Sequence, residues 1–274
     1  MTIRLFRRAA FASSLPFLAL TFAPAPAGAQ TAIACNAPAE FNRFEQPLSR
    51  TSARLLSGLP VTIVAIGSSS TAGAGATSSA ASYPSRLEVE LRDRFPTAVI
   101  RVLNRGINGE EAGDMISRFD KAVFPERPDL VLWQVGTNSV LRDGSLEVAG
   151  SLLRQGLERL KASGADVVLI DPQFAPKVIV KSEAQAMVSL IGTAAKAMNV
   201  SVFHRFDVMR HWQLSEKIGF ENFLSPDGLH MNDWSYGCLA KLLAGAIVEA
   251  SMRTTAVAGA SAGARNAAPT QPGR

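Results

Sequence analysis

The 274-residue chain has few of the side chains from which metal and cofactor sites are built: two cysteines and three histidines. Two cysteines exclude a multi-disulfide scaffold and any four-cysteine zinc site. His204 and His211 have no carboxylate or cysteine beside them in the sequence that would make a metal site, so a surface or packing role is expected and no metal or organic cofactor is implied. Long apolar runs are also missing. The stretch from Ala9 to Phe22 is interrupted by Ser13, Ser14 and Pro16 and falls short of the ~20 residues needed to span a bilayer. The glycine-rich segment 67–75 lacks both the Gly-Lys-Ser/Thr ending of a phosphate-binding loop and the Gly-x-Gly-x-x-Gly of a dinucleotide fold.

What is present is an ordinary globular composition, 47% apolar and 19% charged, in a chain long enough for one core of roughly 200 residues. The formal charge is +5, from 28 basic and 23 acidic residues. Six of those bases lie at the ends, Arg4, Arg7 and Arg8 before residue 30 and Arg253, Arg265 and Arg274 after residue 252, which leaves 22 bases against 23 acids between. A near-neutral body argues against a nucleic-acid partner. Residues 1–29 combine a basic start, a short apolar stretch and Ala27-Gly28-Ala29, the pattern of a cleaved export signal. The protein is therefore expected to be periplasmic or secreted, with no stable membrane insertion once the signal is removed. Residues 30–59 read as a lead-in and 60–252 as the folded domain. Residues 253–274, rich in Ala, Gly, Ser, Thr and Pro, read as a disordered basic tail. In an exported chain Cys35 and Cys238 are either joined or two free buried thiols, and the sequence leaves both open.

Apolar strands alternate with amphipathic helices through the domain. Strands are expected at Val61–Ile66, Ala98–Leu103, Asp129–Val135, Asp166–Ile170 and Val200–Phe203. Helices are expected at Tyr83–Phe95, Ala112–Val123, Ser145–Ala162, Ser182–Met198 and Leu239–Ala250. That alternation predicts a single α/β domain of three layers, a doubly wound, mostly parallel sheet between helices. In such sheets ligands bind beyond the carboxyl ends of the strands. The residues found there are Gly67-Ser68-Ser69-Ser70-Thr71 after the first strand, Asn104-Arg105-Gly106-Ile107-Asn108-Gly109 after the second and Gly136-Thr137-Asn138 after the third. Ser225-Pro226-Asp227-Gly228-Leu229-His230 precedes the last helix. A serine nucleophile needs a base and a group that orients the base; His230, with Asp227 three residues before it, supplies both.

In these four blocks and their order, over about residues 60–250, the chain resembles the SGNH hydrolases, the Gly-Asp-Ser-Leu lipase and esterase superfamily, whose fold is flavodoxin-like. The resemblance implies Ser69 as nucleophile, Asp227 and His230 as its partners, and Ser69, Gly109 and Asn138 as the oxyanion-hole donors. One departure is that Ser68 and Ser70 stand where the family usually has Asp and Leu. The rim residues Asn108, Glu110, Glu111, Gln134 and Arg142 are polar for a long-chain lipase, and Glu110, Glu111 and Gln134 are candidate substrate contacts. The expected function is an exported serine esterase acting through an acyl-enzyme on small acyl esters, O-acetyl first, of a carbohydrate or cell-wall glycan. The alternatives are a lipase, lysophospholipase or thioesterase on the same residues, a glycan O-acyltransferase, and a non-catalytic polysaccharide-binding protein.

Overall fold

The structure, a computed structural model, describes residues 33–265, with side chains as far as Arg253. The expected export signal and the end of the tail lie outside the described residues. The apolar runs form β1 (Val61–Gly67), β2 (Ile100–Gly106), β3 (Leu130–Gln134), β4 (Asp166–Ile170) and β5 (Ser201–Phe203). All pairings are parallel, in the order β2-β1-β3-β4-β5. Every residue of β3 is buried, as expected of a strand covered on both faces. The chain steps from β1 to β2 in one direction and thereafter in the other, so the crevice between the ends of β1 and β3 is the switch point at which such sheets bind ligands.

Among the helices are α1 (Ser49–Leu56), α2 (Ser69–Ala72), α3 (Tyr83–Arg94), α4 (Ala112–Ser117), α5 (Thr137–Leu141), α6 (Leu146–Ala162), α7 (Ala184–Ala197), α8 (Arg205–Leu214) and α9 (Asp233–Arg265). α9 packs on α1 and α3, and α6 packs on α4 and α7, which gives the two outer layers. α3 shows why the sequence chooses this arrangement. Tyr83, Leu87 and Leu91 recur at four-residue spacing and are all buried, and Pro84 sits in the first turn, where its missing N–H costs nothing.

Three expectations change. The helix expected over Ala112–Val123 breaks after Ser117: Arg118 leaves the helical region (φ −111°, ψ 8°), and a four-residue helix follows at Phe119–Ala122. β2 runs on through the polar residues Asn104, Arg105 and Gly106, because its pairing with β1 continues to the Gly67–Gly106 register. The last helix begins six residues earlier than expected, at Asp233, and its backbone continues to Arg265. Alanine's high helix propensity favours that continuation.

Cys35 and Cys238 are joined, with Cα atoms 5.4 Å apart, and this decides the alternative the sequence left open. Residues 35–59 belong to the same compact unit as the sheet. Phe44 and Leu48 are buried, Trp212 Nε1 donates to the Asn36 carbonyl at 2.8 Å, and the Gln46 N–H donates to Ser201 Oγ at 2.9 Å.

Candidate active site

Ser69 is the first residue of α2, two residues past the end of β1. The turn that carries it lies directly on β2. Asn104 Nδ2 donates to the Thr71 carbonyl at 2.8 Å, and Asn104 Oδ1 accepts from the Gly106 N–H at 2.9 Å. A Cβ at position 106 would stand 2.1 Å from the Ala72 nitrogen, so the close approach of α2 to β2 requires glycine there. Asn104 and Gly106 thus share one task, holding the serine turn.

His230 comes to Ser69 from the loop before α9. Its Nε2 is 2.8 Å from Ser69 Oγ, and its Nδ1 is 2.5 Å from Asp227 Oδ2. A carboxylate only accepts, so Nδ1 carries the proton and Nε2 is left to accept from the serine hydroxyl. The other Asp227 oxygen, Oδ1, accepts from Ser225 Oγ at 2.8 Å and from the Leu229 and His230 N–H groups at 2.9 Å each. Burial alone would raise the Asp227 pKa. The hydrogen bonds from His230, Leu229 and Ser225 outweigh it and hold the carboxyl well below the usual range. Asp227 therefore stays ionised while it orients the imidazole.

Asn138 and Gly109 face each other across the next two loops. Asn138, on the first turn of α5, donates from Nδ2 to the Glu110 carbonyl at 2.8 Å. Gly109 has φ +80°, a conformation that favours glycine. Among the described residues no acceptor takes its N–H. The Ile107 N–H donates to the Gly67 carbonyl at 3.0 Å, which ties this loop to the end of β1. The structure thus gathers Ser69, Gly109, Asn138, Asp227 and His230 on one rim. Chemically, the arrangement can pass the serine proton to His230 and offer unengaged N–H groups to a negative oxygen.

The candidate substrate contacts all have partners within the protein. The Glu110 carboxylate is bound by Arg118, Nε to Oε1 at 2.8 Å and Nη2 to Oε2 at 2.6 Å. Glu111 caps α4; its Oε2 accepts from Ser139 Oγ at 2.9 Å and its Oε1 from Arg142 Nη1 at 2.6 Å, while Arg142 Nη2 donates to the Gly109 carbonyl at 2.8 Å. Gln134 is 1% exposed. Glu110 and Glu111 thus brace the loop that carries Gly109, and Gln134 Oε1 accepts from the Ser68 N–H. Gln173, passed over in the sequence, links two sides of the site. Its Oε1 accepts from Thr137 Oγ1 at 2.9 Å and its Nε2 donates to the Leu229 carbonyl at 3.4 Å. Its place just beyond β4 was the signal available.

The other histidines do have partners, contrary to the sequence reading. His211 Nε2 lies 3.1 Å from Glu216 Oε1. His204 lies between Asp171 (Nδ1–Oδ2 3.6 Å) and Glu45 (Nε2–Oε1 3.7 Å), and Glu45 and Asp171 are far from it in sequence. Burial lowers the His204 pKa, but the carboxylates of Asp171 and Glu45 beside it raise it by more, to about 10. Among the described residues no group of three or more His, Cys, Asp or Glu is placed to hold a metal ion.

Against known proteins, residues 34–253 match the model of the non-GDSL lipase-like family. An arylesterase from Vibrio mimicus is 32% identical over 77 residues, 28% of this chain and 38% of that protein. A two-domain esterase active on acetylated mannans superposes with a TM-score of 0.65 at 20% identity, covering 77% of this chain and 56% of that one. The lipase/acylhydrolase from Enterococcus faecalis gives 0.58 at 24% identity, over 70% and 96% of the two chains. An acetylxylan esterase from Geobacillus stearothermophilus gives 0.56 at 18% identity, over 68% and 94%. The chain thus spans well under two thirds of the arylesterase and of the mannan esterase, and the structural likenesses establish the fold, that of the SGNH hydrolases.

Proposed function

The chain belongs to the non-GDSL lipase-like family, and on that premise we propose that it is an exported serine esterase that removes small acyl groups, acetyl first, from acylated carbohydrate. The observation that carries this reading is the unbroken hydrogen-bond relay Ser69 Oγ–His230 Nε2 and His230 Nδ1–Asp227 Oδ2, at 2.8 and 2.5 Å. In this mechanism His230 takes the proton from Ser69 as Oγ attacks the ester carbonyl, and Asp227 stabilises the imidazolium that forms. The N–H groups of Ser69 and Gly109 and the Asn138 amide receive the developing negative charge. Asn138 has two amide hydrogens; the Glu110 carbonyl takes one and leaves the other for the oxyanion. His230 then protonates the leaving alcohol, and water, deprotonated by His230, releases the acid from Ser69.

Support for the carbohydrate part comes from the substrates named for two structural neighbours, acetylated mannans and acetylxylan. Support for export comes from the leader-like residues 1–29 and from the disulfide, a bond that persists in oxidising compartments. Among the described residues no helix is long and apolar enough to cross a membrane.

The test is hydrolysis of p-nitrophenyl acetate, acetylated xylan, acetylated mannan and an acyl-chain series by the wild type, Ser69→Ala and His230→Ala. The expected result is acetate release by the wild type and a loss on the order of 10⁴-fold or more in both variants. Undiminished turnover by Ser69→Ala overturns the mechanism, and a preference for C8 or longer esters overturns the substrate class.

A further inference from the structure

We propose that Gln134 is a positioning residue for the nucleophile: its buried side-chain carbonyl fixes the turn that aims Ser69 at His230. The inference rests on the serine-esterase reading, and it replaces the substrate contact expected of Gln134 from the sequence.

Three donors converge on one atom. Gln134 Oε1 accepts from the Ser68 N–H at 2.9 Å, from Ser68 Oγ at 3.1 Å and from Thr71 Oγ1 at 3.3 Å. A backbone N–H can only donate, so the atom facing Ser68 is the amide oxygen, which settles the orientation of the amide. The donors bracket Ser69 on both sides, one residue before it and two after. Ser68, Thr71 and Gln134 are all buried, so water does not replace a lost partner.

The geometry leaves the turn little freedom. Gln134 is the last residue of β3, and its backbone is fixed by pairing opposite Ile170 on β4. Its side chain crosses to β1 under Gly67, where a Cβ would stand 2.8 Å from Oε1 and 2.2 Å from Thr71 Oγ1. The buried Tyr83 hydroxyl, 3.3 Å from Thr71 Oγ1, closes the far side. Ser68, at the position where the resembled family usually carries Asp, supplies two of the three hydrogen bonds. A rigid strand thereby sets the position of a nucleophile that sits on a four-residue helix too short to hold itself.

A positioning role predicts a loss in kcat and little change in KM, since the substrate does not touch Gln134. Placement errors of about 1 Å at a reacting atom cost ~10²-fold. Gln134→Met removes the acceptor at similar volume, and Gln134→Glu keeps it. Each protein is titrated with an organophosphonate that labels the active serine, so kcat is expressed per competent site and misfolded protein does not count. The expected result is a fall of ~10²-fold in kcat and in the labelling rate for Gln134→Met, KM within about twofold, and recovery to within about tenfold of wild type in Gln134→Glu. If Gln134→Met does not fold, the double variant Ser68→Ala/Thr71→Val, which removes two of the three donors, is expected to lower kcat per site about tenfold. Wild-type kcat and labelling rate in whichever of these folds, or a loss confined to KM, overturns the inference. Ser69→Ala, run alongside, separates the two claims. Turnover without Ser69 overturns the esterase mechanism and the inference with it, whereas an inert Ser69→Ala beside an unimpaired Gln134→Met overturns the inference alone.

Discussion

Asp227 divides its two carboxylate oxygens between two tasks, Oδ2 for the His230 ring and Oδ1 for the backbone of the loop that carries His230. In the proposed mechanism Asn138 is divided in the same way, one amide hydrogen on the Glu110 carbonyl and one for the oxyanion. That double role gives Asn138→Ala a specific signature. kcat should fall ~10² to 10³-fold, while folding stability should fall by only about 1 kcal/mol, since the Glu110 carbonyl loses its donor in a half-exposed loop. Steady-state kinetics and urea unfolding on the same preparations check both numbers. At this scale the chemistry was legible in the sequence wherever the partner lies close in the chain, as Asp227 and His230 do. It was not legible for Glu110, Glu111 and Gln134. Carboxylates and amides beside an active-site glycine look like substrate contacts until Arg118, Arg142, Ser139 and Ser68 are seen to engage them.

At the scale of elements, α2 and β2 act as one unit, because Asn104 and Gly106 press the serine turn onto the strand. Gly106→Ala tests this. Its Cβ would meet the Ala72 nitrogen at 2.1 Å and the Thr71 carbonyl carbon at 2.6 Å, both backbone atoms that do not swing aside. The expected cost is roughly 1–3 kcal/mol of stability, with a kcat loss on the order of 10²-fold as α2 is displaced from His230. Thermal or urea melts paired with kcat per titrated site measure both; an unchanged kcat would mean that the serine turn does not depend on this contact. Periodicity revealed the strands and the long helices because burial on two faces or one imposes it. It missed the break at Arg118, whose guanidinium turns back to the Glu110 carboxylate and the Arg105 carbonyl. It also missed α8, in which Arg205 is fully buried.

Across the whole molecule, a charged cluster and a disulfide tie residues 35–48 to the domain. His204 joins Glu45 of that segment to Asp171 at the end of β4, and its N–H donates to the Phe41 carbonyl at 3.1 Å. Its pKa rises from 6.5 to about 10 on folding. The folded state therefore binds a proton that the unfolded chain has released between those values. The stabilisation is complete below pH 6.5 and is lost as pH rises through about 10. His204→Gln should accordingly lower stability most at pH 6, and the gap to wild type should close towards pH 10.5; urea unfolding at the two pH values measures it. A gap independent of pH would mean that the contribution of His204 is packing rather than charge.

The sequence by itself determined the α/β alternation, the parallel sheet and the residues that meet at its rim. Strand burial and helix amphipathicity are periodic, and glycine, serine, asparagine and histidine at strand ends are local signals. It also located the excess positive charge at the two ends. Only the tertiary structure decided that Cys35 meets Cys238, that His204 has two carboxylates, and that Gln134 and Glu111 bond to Ser68 and Ser139. Each of those outcomes depends on the distance between groups remote in the chain, and no period or spacing encodes a distance that folding alone creates.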